Sequence, residues 1–212
     1  IFSRVVYGAR VSLVVGIAVA LISVGIGLIL GLVAGYVRVL DAVIMRTMDG
    51  LMSIPAILLA IALISLSGAT LGTVILAIVI PEVPRVVRLV RAVVLTVREE
   101  PYVEAAIAAG TRLPLILKRH ILPNTIAPLI VQATYVCASA MLTESILGFL
   151  GAGIPPEIPS WGNIMSEGRT YFQISPWIIF FPGIGLALTV LAVNIVGDGL
   201  RDTLDPRIAR KI

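Results

Sequence analysis

The stretch VSLVVGIAVALISVGIGLILGLVAGYV, residues 11–37, decides the fold, because it places 27 consecutive uncharged residues between Arg10 and Arg38. A helix needs about 20 apolar residues to cross roughly 30 Å of hydrocarbon. The rest of the chain has the same character. Of its 212 residues 58% are hydrophobic and 13% are charged, with a mean hydropathy of +1.07, whereas a soluble domain has about a quarter charged residues. The composition therefore predicts a polytopic membrane protein.

Three further gaps between charged residues are long enough for a crossing. They enclose 24 to 32 uncharged residues and run from Asp49 to Glu82, from Arg119 to Glu144 and from Arg169 to Asp198. The first of them is too long for one crossing, since 32 residues of helix would reach about 48 Å. Its middle, SLSGATLG at 65–72, is typical of a tight turn. We therefore predict an all-α, polytopic transmembrane helical bundle over residues 1–212, with five crossings at about 11–36, 51–66, 71–90, 125–147 and 176–197.

Basic residues test this topology, because they concentrate on the cytoplasmic side of a membrane. With five crossings, thirteen of the sixteen lysines and arginines fall on one face, in the loops at 37–50 and 85–124 and in the tail. Only Arg4, Arg10 and Arg169 fall on the other face. The asymmetry predicts an external amino terminus and a cytoplasmic carboxyl terminus. Because Ile1 opens the sequence without an initiator methionine, we expect one more crossing to precede it.

Several function classes are disfavoured by what the sequence contains. Cys137 is its one cysteine and His120 its one histidine, so neither a disulfide nor a metal site with zinc-type spacing is expected. The net charge of +4 comes from basic residues that flank apolar tracts, which indicates orientation in a bilayer and not nucleic-acid binding. A membrane-embedded enzyme would need a nucleophile and base or a metal motif, and we find none.

Small residues and prolines mark special positions within the crossings. Gly27, Gly31 and Gly35 leave one helix face clear for the close approach of another backbone, either within this chain or in a second subunit. Pro81 and Pro84 flank Glu82, so we expect the helix to be kinked or unwound there. Glu82 either lines a substrate path or pairs with one of the nearby arginines, Arg85 or Arg88.

The predicted external side holds a second carboxylate and an irregular loop. Glu144 would either attract a cationic substrate or be hydrated, and we favour hydration. The glycines and prolines of residues 151–159 exclude one regular helix. Trp161, Tyr171 and Trp177 suit the headgroup level.

The main hydrophilic block, from Arg85 to Asn124, is predicted to be cytoplasmic, with a loop outside the membrane at about 91–124. EAAIAAG, residues 104–110, has strong helix formers up to a glycine that suits the residue just past a helix end. Residues 111–121 predict an amphipathic second helix that stops at Pro123. A helix, a glycine turn and a second helix would project from the membrane, and small side chains would let the first helix enter a partner's groove.

The same block matches a signature with fixed spacing. Its positions are Glu104, Ala105, Ala106, Gly110, His120, Leu122 and Pro123. They resemble the EAA signature of permease subunits of ATP-binding-cassette importers, in which isoleucine is usual where His120 stands. The runs YGARVSL at 7–13, HILPN at 120–124, GDGLRD at 197–202 and DPR at 205–207 resemble the second permease subunit of the dipeptide, oligopeptide and nickel branch. The likeness spans about residues 7–207 and is highly specific.

This resemblance implies a type I importer permease with a MetI-like core and six crossings, of which the first is missing from this sequence. It implies four kinds of partner: a second permease subunit, giving a heterodimer, two ATPase subunits that bind ATP and Mg, an external substrate-binding protein and the lipid bilayer. We expect no cofactor or metal on this chain, which has no phosphate-cradling G-x-x-x-x-G-K-[ST] loop.

The resemblance also assigns residue roles. The loop would dock on the cytoplasmic ATPase as a coupling helix, with Glu104 capping or orienting it, Ala105 and Ala106 in close contact, and Gly110 making the turn. His120 would be a structural hydrogen-bonding residue. Peptide is the expected substrate, with nickel chelates second. The alternative is an ion-gradient-driven secondary transporter or channel, which would need paired intramembrane carboxylates or inverted repeats.

Overall fold

The computed structural model describes residues 2–204, and these form an all-helical bundle without a strand. The helices are α1 (Phe2–Tyr36), α2 (Arg38–Met52), α3 (Ala56–Ser67), α4 (Leu71–Val97), α5 (Pro101–Ala108), α6 (Leu113–Ile116), a π-helical turn (Leu117–Ile121), α7 (Leu122–Phe149), α8 (Trp161–Gly168), a 3₁₀ turn (Arg169–Tyr171) and α9 (Trp177–Leu204). Lipid offers the backbone no hydrogen bonds, so helices satisfy it internally. The DPR run at 205–207 and the basic residues beyond it lie outside the described residues.

Three helices in the described part of the chain are long and apolar enough to cross a membrane. They are α1, the continuous helix from Leu113 to Phe149, and α9. Helices α2 and α3 pass the same test only as a pair, and they are bent by 88° at the break between them. Helix α4 has 27 residues but includes Glu82, Arg85 and Arg88. Helices α1, α3, α4, α7 and α9 overlap the five predicted crossings, whose number remains a prediction.

The sequence pattern missed α2 and misjudged some boundaries. Helix α1 begins at Phe2, where a start near residue 11 was predicted, and α3 covers only 12 residues. Helix α2 was missed because charged residues interrupt it. It is amphipathic, and Met48 is its buried residue. A search for long uncharged tracts does not detect such a helix.

The centre of the bundle is a close contact between α1 and α4. A methyl group placed on Gly27, Gly31 or Gly35 would lie 2.5 to 2.6 Å from the side chains of Val86, Val90 and Val94, respectively. All six residues are buried. The two helices therefore approach more closely than side chains on α1 would allow. Of the two alternatives left open for these glycines, the structure shows packing within the chain.

The predicted turn between the second and third crossings is confirmed. Gly68 adopts a φ of +82°, which glycine tolerates best. Thr70 caps α4, because its hydroxyl accepts from the Thr73 amide at 3.1 Å and the Thr73 hydroxyl accepts from the Thr70 amide at 2.9 Å. Further along, α4 continues through Pro81 and Pro84 without a break, so of the two predicted alternatives the helix is not unwound there, and a kink stays a prediction.

The segment between α7 and α8 is irregular, as predicted, and it is held by one side chain. The amide nitrogen of Asn163 donates to the carbonyls of Ile154 at 2.9 Å and Ile158 at 3.1 Å. Trp161 was expected at the headgroup level, but it is buried and donates its indole N–H to the carbonyl of Val5 at 3.0 Å. This placement is possible because the indole finds a backbone acceptor inside the protein.

Outside the crossings, an ion pair joins α8 to the start of α1. Arg4 donates two hydrogen bonds to the carboxylate of Glu167, at 2.7 and 2.8 Å. These bonds hold the pKa of Glu167 below its ordinary value, and burial opposes them only in part. The stabilisation is therefore present at neutral pH and is lost as the pH falls through the lowered pKa.

Replacing Gly31 by leucine should destabilise the bundle, because the side chain would overlap Val90. Overpacking costs about 1–3 kcal/mol, and each 1 kcal/mol shifts the Tm of a protein of this size by about 2–4 °C. We expect a Tm lower by several degrees for purified Gly31→Leu in detergent. Gly25→Leu on the same helix is the control, since nothing lies within 4 Å of that position. Equal melting of the two variants would contradict the close contact.

Candidate functional site

The candidate site is the segment at 91–124 that joins α4 to α7. Its first part is not a loop, because α4 continues to Val97. Arg98 then donates from Nη1 to the carbonyl of Gly35 at 3.1 Å, at the end of α1. Arginine side chains commonly satisfy such terminal carbonyls. The end of α4 is thus tied to the end of α1 immediately before the chain leaves the bundle.

Two ion pairs hold α2 along the same part of α4. Arg91 donates from Nη2 to Asp41 at 2.7 Å, in a two-bond arrangement that also uses Nε. Arg88 donates to Asp49 at 2.5 Å. An arginine–carboxylate pair with two hydrogen bonds fixes the relative orientation of the two side chains and also adds binding energy. Helices α2 and α4 are therefore expected to move together.

Helix α5 and the glycine turn after it are the predicted elements, but α5 starts before the predicted residue, Glu104. The helix begins with Pro101 at its first turn, where a proline loses no hydrogen bond. It ends at Ala108, and Gly110 has a φ of +77°. The Thr111 amide donates to the carbonyl of Ala106 at 3.1 Å and so closes the turn. The predicted glycine turn is confirmed.

The outward face of α5 is exposed. Glu104 and Ala105 are exposed, Ala106 is half-buried, and Val103 is the buried residue of the helix. Among residues 2–204 nothing donates a hydrogen bond to the Glu104 carboxylate, so a capping role within the chain has no support in the described contacts. The small residues thus lie on a surface that residues 2–204 leave uncovered.

The second arm differs from the prediction at its end. Residues 113–149 form one continuous helix, so the predicted stop at Pro123 is wrong. Just before this proline, the Leu122 amide donates to the carbonyl of Leu117, five residues back, in a π turn. This wider turn makes room for the ring of Pro123, whose backbone nitrogen has no hydrogen to donate. Any displacement of α6 is therefore transmitted directly to α7.

His120, Tyr102 and Asn124 link α5 to the π turn. The ring centroids of Tyr102 and His120 are 5.9 Å apart. The side-chain amide of Asn124 donates to the carbonyl of His120 at 2.6 Å and to the hydroxyl of Tyr102 at 3.3 Å. The hydrogen bond from Asn124 uses the backbone carbonyl of His120, and within residues 2–204 its imidazole makes no hydrogen bond, so the hydrogen-bonding role of this side chain stays a prediction. Of the other signature residues, Leu122 is half-buried and Pro123 is exposed.

A cavity next to the segment was not visible in the sequence. It has a volume of about 560 Å³ and lies between α4, α7 and α9. Its polar lining comes from Asn124, Gln132 and Arg201. Arg201 lies 69 residues after Gln132, so no local pattern predicts that these side chains line one cavity.

The two carboxylates proposed for a substrate path lie away from α5 and apart from each other. Glu82 is buried, lies 3.3 Å from the Nη1 of Arg85 and accepts a hydrogen bond from Ser139 at 3.0 Å. Of the two alternatives stated for Glu82, the pairing with a nearby arginine is confirmed, and the partner is Arg85. Glu144 is 0% exposed, so the expected hydration is wrong. It is buried because α1 and α8 cover this part of α7, and the Ser12 hydroxyl donates to its Oε2 at 2.9 Å.

Removing the amide of Asn124 should loosen the π turn. A hydrogen bond of this kind contributes about 0.5–1.5 kcal/mol, so Asn124→Leu should raise amide hydrogen exchange in residues 117–125 by about two- to tenfold. Asn194→Leu is the control, because Asn194 is exposed on α9. Unchanged exchange in Asn124→Leu would show that the side chain does not stabilise the turn.

Comparisons with known proteins agree with this geometry. The family of binding-protein-dependent transport system inner membrane components matches residues 12–210. A probable peptide ABC transporter permease of Sinorhizobium fredii is 58% identical, and the alignment covers 100% of this chain and 72% of that protein. A dipeptide transport system permease of Alkalihalophilus pseudofirmus is 46% identical, over 98% of this chain and 69% of that protein.

Two more relatives extend the range of the comparison. A glutathione transport system permease of Pectobacterium atrosepticum is 41% identical, over 98% of this chain and 69% of that protein. A solved chain of the inward-facing MetNI methionine ABC transporter superposes with a TM-score of 0.71 at 20% identity, covering 96% of this chain and 95% of that chain. At this identity the likeness establishes the fold alone.

Proposed function

Because the chain belongs to the family of binding-protein-dependent transport system inner membrane components, we propose that it forms half of a peptide pathway and is coupled to an ATPase through residues 91–124. The chain is an ABC importer permease with a MetI-like fold, and it lies in the membrane. The observation that supports the coupling role is the position of α5, an exposed helix between α4 and the helix that contains α7.

The contacts around α5 suggest how movement would pass into the bundle. At one end of the segment, Arg98 and the ion pairs of Arg88 and Arg91 join α4 to α1 and α2. At the other end, α6 continues without interruption into α7. A displacement of α5 by an ATPase would therefore turn α4 and α7 as rigid bodies, which is the usual form of such transitions.

The proposed assembly follows from the same role. The segment at 91–124 and the carboxyl terminus face the cytoplasm, where thirteen of the basic residues lie by the predicted topology. Two ATPase subunits bind ATP and Mg, while this chain binds no cofactor. A second permease subunit completes the pathway as a heterodimer, and an external binding protein delivers the substrate. No nucleic acid takes part.

Peptide is the proposed substrate, because the printed names of the relatives include peptide and dipeptide permeases. Glu82 is buried within the predicted third crossing, and its pairing with Arg85 and Ser139 relieves the cost of that burial, so we assign it no contact with substrate. Glu144 is enclosed by α1, α7 and α8. We therefore assign it no contact with substrate.

The coupling role predicts an uncoupled phenotype for Gly110→Val in the assembled transporter. Space is not limiting, because nothing lies within 4 Å of the position. The cost arises from φ, since a β-branched residue at φ +77° is a strong outlier. We expect uptake to fall by about tenfold or more, as in other cases of misplaced functional groups, while the complex still hydrolyses ATP.

Gly110→Asn is the matched control, because asparagine tolerates positive φ and should keep most of the uptake. Both variants should still co-purify with an ATPase subunit. Normal coupled uptake in Gly110→Val would contradict the coupling role, as would a wild-type complex that contains no ATPase.

The substrate proposal is tested separately, with the transporter and its binding protein reconstituted in vesicles. A labelled dipeptide should accumulate on addition of ATP inside, and an excess of unlabelled dipeptide should compete with it. Accumulation of a nickel chelate without peptide transport would contradict the assignment and leave the permease role intact.

A further inference from the structure

Glu144 occupies a fully enclosed position that the coupling mechanism does not use. Its side chain is 0% exposed and lies on α7 against α1 and α8. Oε2 accepts hydrogen bonds from Ser12 at 2.9 Å and from Ser145 at 3.4 Å. Ser160, the N-cap of α8, is buried as well, and its hydroxyl accepts a hydrogen bond from the Asn163 amide at 3.3 Å. Oε1 is buried without a hydrogen-bond partner among the described residues.

No cation of the described chain compensates a charge at this position. Among residues 2–204 the ion pairs are Arg4–Glu167, Arg85–Glu82, Arg88–Asp49 and Arg91–Asp41, so Glu144 takes part in none. An isolated buried carboxylate is far costlier than a neutral acid, and proteins relieve the cost by neutralising the group.

Each neighbouring element places its charged groups elsewhere. On α1, Arg4 is paired and Arg10 is exposed. On α8, Glu167 holds Arg4. Glu157, between α7 and α8, is exposed. Arg169, in the 3₁₀ turn after α8, stacks on the ring of Phe149 at 5.2 Å from its centroid.

The remaining elements give the same result. On α4, Glu82 bonds to Ser139, five residues before Glu144 on α7. Helix α3 has no charged residue. The charged residues of α9 lie in its last turns, and they are Asp198, Arg201 and Asp202. The titratable residues of the π turn precede α7, at the opposite end of that helix from Glu144, and they are Lys118, Arg119 and His120.

We propose that Glu144 remains an uncharged carboxylic acid during transport and, in this form, joins α7 to α1 and to the start of α8 as a positioning residue. A neutral acid has one O–H to donate, and the serine hydroxyls can both accept and donate. The hydroxyl groups that donate to Oε2 also stabilise a carboxylate, but without a cation they do not offset the cost of burying its charge, so the enclosed position favours the neutral acid. The hydrogen bond from Ser12 places the join on α1, and the packing of α8 against α7 encloses the same position.

The join lies at the opposite end of the continuous helix from the coupling segment. The positioning part of the inference rests on the proposed function. If α7 turns as a rigid body, Glu144 helps to hold α1 and α8 to it. A hydrogen bond between neutral groups can persist within lipid without the cost of a buried charge.

The protonation state can be measured without any transport. The infrared spectrum of the purified complex in lipid at pH 7 should contain a C=O stretching band of a protonated carboxylic acid that is lost in Glu144→Gln. The band should persist in Glu157→Gln, because Glu157 is exposed. The proposal would be overturned if the infrared difference spectrum between wild type and Glu144→Gln contained only carboxylate bands. A carboxylate band that appears on addition of Na⁺ would also overturn it and would indicate a cation site.

The positioning role is tested by uptake in reconstituted vesicles between pH 6 and pH 8. Glu144→Gln preserves the shape of the neutral acid and should keep uptake within about twofold of wild type, with the same pH profile. Glu144→Asp withdraws the group by about 1.5 Å, one C–C bond, and should lower uptake by about tenfold or more. Loss of uptake in Glu144→Gln, with the complex intact, would contradict the role. If no variant and no wild-type complex transports peptide, the proposed function fails while the infrared result still stands.

Discussion

The close contact between α1 and α4 is the constraint on which the other features depend. Hydrophobic side chains gain little by meeting each other in lipid, so helices associate there through packing at short distance. Glycines on α1 and valines on α4 supply such packing over three successive pairs. This contact sets the position of α4, and from that position Arg91 reaches Asp41 while Arg98 reaches the end of α1.

A second constraint is that backbone groups in a bilayer need partners within the protein. This constraint explains why the prolines do not break the helices that contain them. Helix α4 contains Pro81 and Pro84, and α9 contains Pro182, each within a continuous helix. Before Pro123 the chain solves the same problem with a π turn. The helix therefore runs without interruption from Leu113 to Phe149. A helix end at Pro123 would have divided it into two.

The sequence was sufficient for whatever depends on local chemistry. Long uncharged tracts predicted helices, and Gly68 and Gly110 were placed correctly at turns because glycine is the residue that best tolerates a positive φ. The spacing of residues in the sequence alone could not predict which side chains contact each other. Whether Gly31 faces Val90 or a second subunit, and whether Trp161 lies in the headgroups or inside the protein, depends on which helices become neighbours. The burial of Glu144 was missed for the same reason, since Ser12 is 132 residues away in the chain.

The central claim, that α5 is the surface on which an ATPase acts, can be tested with one introduced cysteine. The native Cys137 is buried and is the one cysteine of the sequence, so Ala105→Cys would supply the reactive thiol on the exposed face of α5. Leu188→Cys, on an exposed face of α9, is the matched control. A thiol-to-amine cross-linker applied to the assembled complex should join Ala105→Cys, but not Leu188→Cys, to the ATPase subunit. Labelling of Ala105→Cys in intact cells by a membrane-impermeant thiol reagent, with no cross-link to the ATPase, would contradict the account.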